Sequence, residues 1–127
     1  MNRKLTQTIT AEYFQAWLTQ DLALFLSVLK DDIIIKECYG PVYQGKAAAE
    51  QWFRAWNDGR NRVLQWPIES FLYDTEAETA AAEWYFQCLY EGKVSEFYGS
   101  SVITFQAEAI AGLNEYEMKK EQYYPYN

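Results

Sequence analysis

Residues 78–106 read ETAAAEWYFQCLYEGKVSEFYGSSVITFQ. Two runs rich in aromatic and β-branched residues, Glu78–Tyr90 and Lys93–Gln106, flank the pair Glu91-Gly92. Such runs around a two-residue turn signal read as antiparallel strands joined by a hairpin. Alternation along the first run sends Trp84, Phe86 and Cys88 to one face and Glu83, Tyr85 and Gln87 to the other. A slip of one residue would exchange the two sets, bringing Glu83 inside and taking Trp84 out.

The flanking sequence extends this pair into a sheet. Arg62–Tyr73 reads as a long strand bent at Pro67, which suits an edge or a bulge, and Asp74-Thr75-Glu76 turns the chain. A weak turn at Ala107-Glu108 leads to a last strand, Ala109–Glu117, before a charged stretch, Met118–Asn127, that ends in Tyr123-Tyr124-Pro125-Tyr126. The N-terminal half has a different period. Ile9, Tyr13, Phe14, Trp17 and Leu18 follow helical spacing over Thr6–Thr19. Asp21 caps a shorter helix, Leu22–Leu29, that stops at Lys30-Asp31-Asp32. The run Ile33–Cys38 is a strand, residues 39–45 form a loop with room for a short hairpin arm, and Lys46–Asn57 is a third helix with Trp52, Phe53 and Trp56 on its apolar face. Helices segregated on one side of a curved antiparallel sheet make a single α+β domain over residues 1–127, with a cavity between the layers.

Composition removes several function classes. Half of the 127 residues are hydrophobic and 18% are aromatic, more than a core of this size needs, so some rings are expected to line a cavity or a subunit interface. Eleven basic against eighteen acidic residues give a net charge of −7, which opposes binding to nucleic acid or anionic membranes. Histidine is absent, so no Ser-His or Cys-His nucleophile exists and the commonest metal ligand is missing. Cys38 and Cys88 lack CxxC spacing and read as two buried thiols of a cytoplasmic protein, although a disulfide between neighbouring strands is conceivable. No metal or redox cofactor is expected. There is no signal-peptide pattern and no apolar stretch of transmembrane length.

Glu37 is the first lead to chemistry. It closes the apolar run Ile33-Ile34-Ile35, where a carboxylate is costly unless it is paired, protonated or used. In an apolar pocket its pKa would rise from roughly 4.3 towards neutrality, which suits proton abstraction beside a carbonyl. The plainer reading is a strand-end carboxylate paired with Lys36, Lys46 or Arg54. Trp17, Trp52, Trp56 and Trp84 are the candidate aromatic wall of a ligand pocket, against the ordinary expectation that such residues are core.

Several motifs look familiar together. The runs Tyr13-Phe14-Gln15-Ala16-Trp17, Asp21-Leu22 and Leu29-Lys30-Asp31-Asp32, the Gly40–Gly45 loop, Ala82-Glu83-Trp84-Tyr85-Phe86 and Gly99-Ser100-Ser101-Val102-Ile103 resemble the nuclear transport factor 2-like superfamily, and its SnoaL-like branch most. The resemblance spans nearly the whole chain and implies a cone: a bent mixed sheet, mainly antiparallel, closed by helices over a deep pocket. Family members include ketosteroid isomerases, polyketide cyclases, dehydratases and plain binding modules, so the fold does not fix the function.

By resemblance to the isomerases, Glu37 stands at the place of the catalytic base and Tyr13 at that of an oxyanion-hole tyrosine. Ser101 fills the position of a second oxyanion donor, a protonated aspartate, and departs from it. The family register would turn Trp84 and Phe86 to the pocket. A small apolar or cyclic ligand is then the expected partner, with isomerisation, dehydration or cyclisation beside a carbonyl as the chemistry and a non-catalytic binding or interaction module as the alternative. The resemblance also implies a homodimer through the outer face of the sheet, with Glu83 pairing there with Arg60 or Arg62.

Overall fold

In the computed structural model, which describes residues 1–126, Asn2 starts the first helix: its Oδ1 accepts from the Leu5 N–H (2.8 Å). Helix α1 spans Arg3–Thr19 and α2 spans Leu22–Ser27, the second capped by Asp21, whose Oδ1 accepts from the Leu24 N–H (3.0 Å). Then come β1 (Leu29–Lys36), β2 (Val42–Gln44), α3 (Lys46–Trp56), β3 (Arg62–Gln65), β4 (Ile68–Asp74), β5 (Thr79–Tyr90), β6 (Lys93–Gln106) and β7 (Ala109–Met118). Gly45 opens α3 with φ of 87°, a conformation that costs glycine little, while its N–H donates to Ile33 O (2.7 Å).

The sheet runs β2-β1-β7-β6-β5-β3, with β4 pairing beside β3 on the same edge of β5. Only β1 and β7 are parallel among these pairs, so the sheet is mixed and mainly antiparallel, as expected. Register shifts interrupt four ladders, β1/β7, β3/β5, β4/β5 and β6/β7. Each local irregularity bends its strand and increases twist, which curves the sheet around the helices. No helix is long and apolar enough to cross a membrane among the described residues.

The first helix starts at Arg3 rather than Thr6, and larger differences from the sequence reading follow in the second helix, β1 and β3–β4. The second helix ends at Ser27, and Lys30-Asp31-Asp32 belongs to β1, because Leu29 is already buried and paired with Ile110 of β7. Glu37 therefore lies just beyond a strand that begins and ends earlier than expected. The single strand Arg62–Tyr73 is two strands. Pro67 has no N–H to donate, the ladder breaks there, and the buried Trp66 ring stacks on Phe14 of α1 with centroids 4.0 Å apart.

The hairpin at Glu91-Gly92 forms in the expected register. Trp84, Phe86 and Cys88 face the helices, and Glu83 stays on the outer face, where it accepts a hydrogen bond from Ser70 Oγ–H (2.7 Å) in place of an arginine. Gly99, opposite Trp84, leaves room for the indole: a Cβ at that position would collide with the six-membered ring. The core is a cluster of rings between the layers, with Tyr13, Phe14, Trp17, Phe25, Phe53 and Trp66 at its centre.

Candidate functional site

Three inward-facing rows end at one level of the sheet. On β1 the row is Ile33, Ile35 and then Glu37; on β7 it is Leu113 and Glu115; on β6 it is Ile103 and Ser101. The parallel register matches Ile35 with Leu113 and Lys36 with Asn114, so the next step sets Glu37 level with Glu115. Ser101 pairs directly with Glu115 across the antiparallel ladder. A turn holds Glu37 at its strand end: its N–H donates to Pro41 O (3.0 Å), and the Gly40 N–H donates to Glu37 O (3.1 Å).

Both carboxylates line a cavity of about 700 Å³, a size that suits a small organic ligand. Trp17, Trp52, Trp56, Trp84 and Phe86 all line it as well. Tyr39, Tyr43, Trp66, Tyr90 and Phe97 also line it, none of them picked out for the pocket from the sequence. At the mouth, Arg60 lies between Asp58 and Glu91, 3.7 Å from each.

Burial pushes the Glu115 carboxyl up to about 7, the bond from Ser101 works against that rise, and the charge of Glu37 adds to it. Glu37 is also raised by burial, opposed by a hydrogen bond from the Tyr43 hydroxyl to Oε1 (3.2 Å). Burial and the neighbouring Glu37 charge push the Tyr43 hydroxyl up to about 12. Neither Glu37 nor Glu115 takes part in an ion pair among the described residues. The cations considered for Glu37 are engaged elsewhere or point away: Lys46 pairs with Asp31 (3.7 Å), Arg54 with Glu50 (2.9 Å), and Lys36 is exposed.

Ser101 and Tyr13 sit behind the wall rather than on it. The Trp84 Nε1–H donates to Ser101 Oγ (2.9 Å), and the Ser101 hydroxyl donates to Glu115 Oε2 (2.9 Å). An indole N–H can only donate, so the serine proton is directed to the carboxylate and is not offered to the cavity. Ser101 is fully buried, as is Tyr13, whose hydroxyl has no hydrogen-bond partner among the described residues. Burial raises the Tyr13 pKa well above its usual value, and the charges of Glu115 and Glu37 add to it.

Cys38 lines the cavity as a free thiol, pushed up to about 11 by burial and by the nearby carboxylates, so it carries no thiolate for nucleophilic chemistry near neutral pH. Cys88 is also free, and no disulfide joins them. Glu115 is the main residue that sequence reasoning missed. Its signal was available: it stands two residues after Leu113, continuing an inward row just as Glu37 continues Ile33 and Ile35.

Residues 10–113 match the family model of the SnoaL-like domain. No curated protein matches the sequence. Among solved structures, the fold is similar to that of a Delta 5-3-ketosteroid isomerase from Mycobacterium sp. (TM-score 0.75, 20% identity, 88% of this chain and 92% of that chain). It is similar to an LEH-like epoxide hydrolase of M. tuberculosis (TM-score 0.81, 14% identity, 91% and 84%). A candidate polyketide cyclase from Xanthomonas campestris pv. campestris is also similar (TM-score 0.77, 19% identity, 91% and 92%). At these identities the likeness is one of fold, the nuclear transport factor 2-like cone.

Proposed function

The chain belongs to the SnoaL-like family, and on that premise we propose that its cavity binds a small, mainly apolar, ring-bearing ligand and moves a proton beside a carbonyl of that ligand. No cofactor takes part, and the reaction class is isomerisation, dehydration or cyclisation in the cytoplasm. The observation that carries this reading is the pair of carboxylates, Glu37 and Glu115, level with each other on an aromatic wall.

In this mechanism ionised Glu37 takes the proton from the carbon next to the carbonyl. The C–H electron pair shifts to the carbonyl oxygen, and protonated Glu115 donates to that oxygen. Returning the proton from Glu37 to a different carbon completes an isomerisation. A carboxyl near 7 beside an ionised partner suits the donor role, since each negative charge favours a proton on the other group. Glu115 thereby takes the part that the family resemblance gave to Ser101. Ser101 is its positioning residue, and Tyr13, fully buried behind the wall, has no place at the ligand in this mechanism.

Given a panel of β,γ-unsaturated cyclic ketones, the protein is expected to bring the double bond into conjugation, read as a rise in ultraviolet absorbance. Glu37→Gln should slow that step by about 100-fold or more. An unchanged rate in the variant would remove Glu37 as the base. The alternative, a binding module without chemistry, is favoured by the engagement of Ser101 with Trp84 and Glu115; it predicts retention of the ketones without turnover.

The outer face of the sheet, with Leu72, Val94, Tyr116 and Met118 exposed on it, is proposed as the surface of a homodimer. Light scattering is expected to give twice the chain mass of 14.9 kDa; a monomer at high concentration would reject that surface.

A further inference from the structure

The cavity holds more negative charge than the fold neutralises. Glu37 and Glu115 face it, and among the described residues no lysine or arginine pairs with either. Each has one oxygen occupied by a hydroxyl donor, Tyr43 for Glu37 and Ser101 for Glu115. Among the described residues, the only cation on the lining is Arg60, and it is held at the mouth by Asp58 and Glu91, so the lining as a whole is acidic. Buried charges without partners are costly, and a counter-charge from a ligand relieves that cost.

The rest of the wall suits the same kind of charge. Trp66 meets Trp84 and Phe86 edge-on with centroids 5.5 and 5.0 Å apart, and Trp56 meets Trp17 edge-on at 5.6 Å. Aromatic faces set at steep angles around a desolvated space attract an organic cation through their negative faces, with tryptophan the strongest contributor. The net charge of −7 draws cations towards the mouth and repels anions.

We propose that the ligand of this cavity carries an organic ammonium group on an apolar ring framework, the nitrogen held between the aromatic wall and the Glu37–Glu115 pair. The proposal rests on the reading of the cavity as the ligand site and names the class of ligand. The ammonium favours the ionised state of Glu37, the base of the proposed reaction, and leaves the proton on Glu115.

Three probes of similar bulk separate charge from shape: phenyltrimethylammonium, its neutral isostere tert-butylbenzene, and the anion benzenesulfonate. Binding is read by tryptophan fluorescence and calorimetry on the whole protein at pH 8. Phenyltrimethylammonium is expected to bind at least about tenfold more tightly than tert-butylbenzene, with benzenesulfonate weakest. The double variant Glu37→Gln/Glu115→Gln should bring the cation and the neutral probe to within about twofold of each other. Equal or tighter binding of tert-butylbenzene by the unaltered protein would overturn the ammonium assignment while leaving the cavity a ligand site. Binding of none of the three would overturn both. The comparison of probes on the unaltered protein decides the matter even where the double variant fails to fold.

Discussion

Replacing Glu115 by glutamine is expected to make the protein more stable at pH 8, by about 2–3 kcal/mol, while slowing the proposed proton transfer by about 100-fold. The sign follows from where the proton sits. Folded Glu115 keeps its proton until about pH 7, whereas a solvated glutamate loses it near the ordinary value of 4.5. Between those values the folded state binds more protons than the unfolded one, so stability falls as pH rises and the loss is complete above the folded pKa. Glu37, also raised by burial, pulls in the same direction.

Glutamine carries no charge to desolvate, and its side-chain oxygen still accepts from Ser101, so the variant escapes the loss. Urea titrations of both proteins between pH 4.5 and 8 would show a downward slope for the parent and a much flatter line for Glu115→Gln. A parent curve with no slope would mean that Glu115 is well solvated. It would also remove the basis for its role as proton donor.

Acid has the opposite effect at another site. On the outer face, Lys120 and Tyr85 donate to Glu96 and hold its carboxyl down to about 2. That contribution is present above the ordinary carboxylate value and is lost as pH falls from there towards 2. Stability should therefore peak near pH 5. A residue whose removal stabilises the fold while costing activity is the pattern expected where function has placed an unfavourable charge.

The second large effect is in the ring cluster. Trp17→Ala is expected to cost about 3–5 kcal/mol, a large part of the 5–15 kcal/mol typical of a domain. Trp17 touches Phe53, Trp52, Phe25 and Trp56 with centroids 4.5, 4.8, 5.5 and 5.6 Å away, so it joins α1 to α2 and α3. Its loss would leave a void that rigid neighbouring rings cannot fill, and that void would open into the ligand cavity. Chemical denaturation would measure the cost. A loss below about 1 kcal/mol would mean that the wall collapses inward and that the cavity is not held open by its rings.

The ring cluster also shows how far the sequence could be read. Helical spacing marked Tyr13, Phe14 and Trp17 correctly as one buried face, because spacing on a single helix is a local property. Trp66 was read as part of a continuous strand, yet Pro67 breaks the ladder and Phe14 takes the freed indole as its stacking partner. The proline was visible, but the partner lay on a helix far back in the chain. Cys38 and Cys88 illustrate the same limit: both are free thiols, but of the two expected to be buried only Cys88 is, Cys38 being half-buried on the cavity lining, and the choice between thiols and disulfide rests on strand neighbours the sequence does not specify.

What the sequence determined by itself was periodic and local. The two-residue alternation of residues 78–106 puts Trp84 and Glu83 on opposite faces, but which of the two turns inward follows only from the packed sheet, where Trp84 is buried and Glu83 exposed. Asn2 and Asp21 cap helices through atoms three residues away. The site was a different matter. Glu37 became one of a pair only because β1 lies parallel to β7, in a register that carries it level with Glu115. Ser101 became the support of a carboxylate only because Trp84 donates to it from the neighbouring strand. Electrostatic coupling and desolvation depend on separation in space, and the tertiary fold alone brings these ends of distant strands around one cavity.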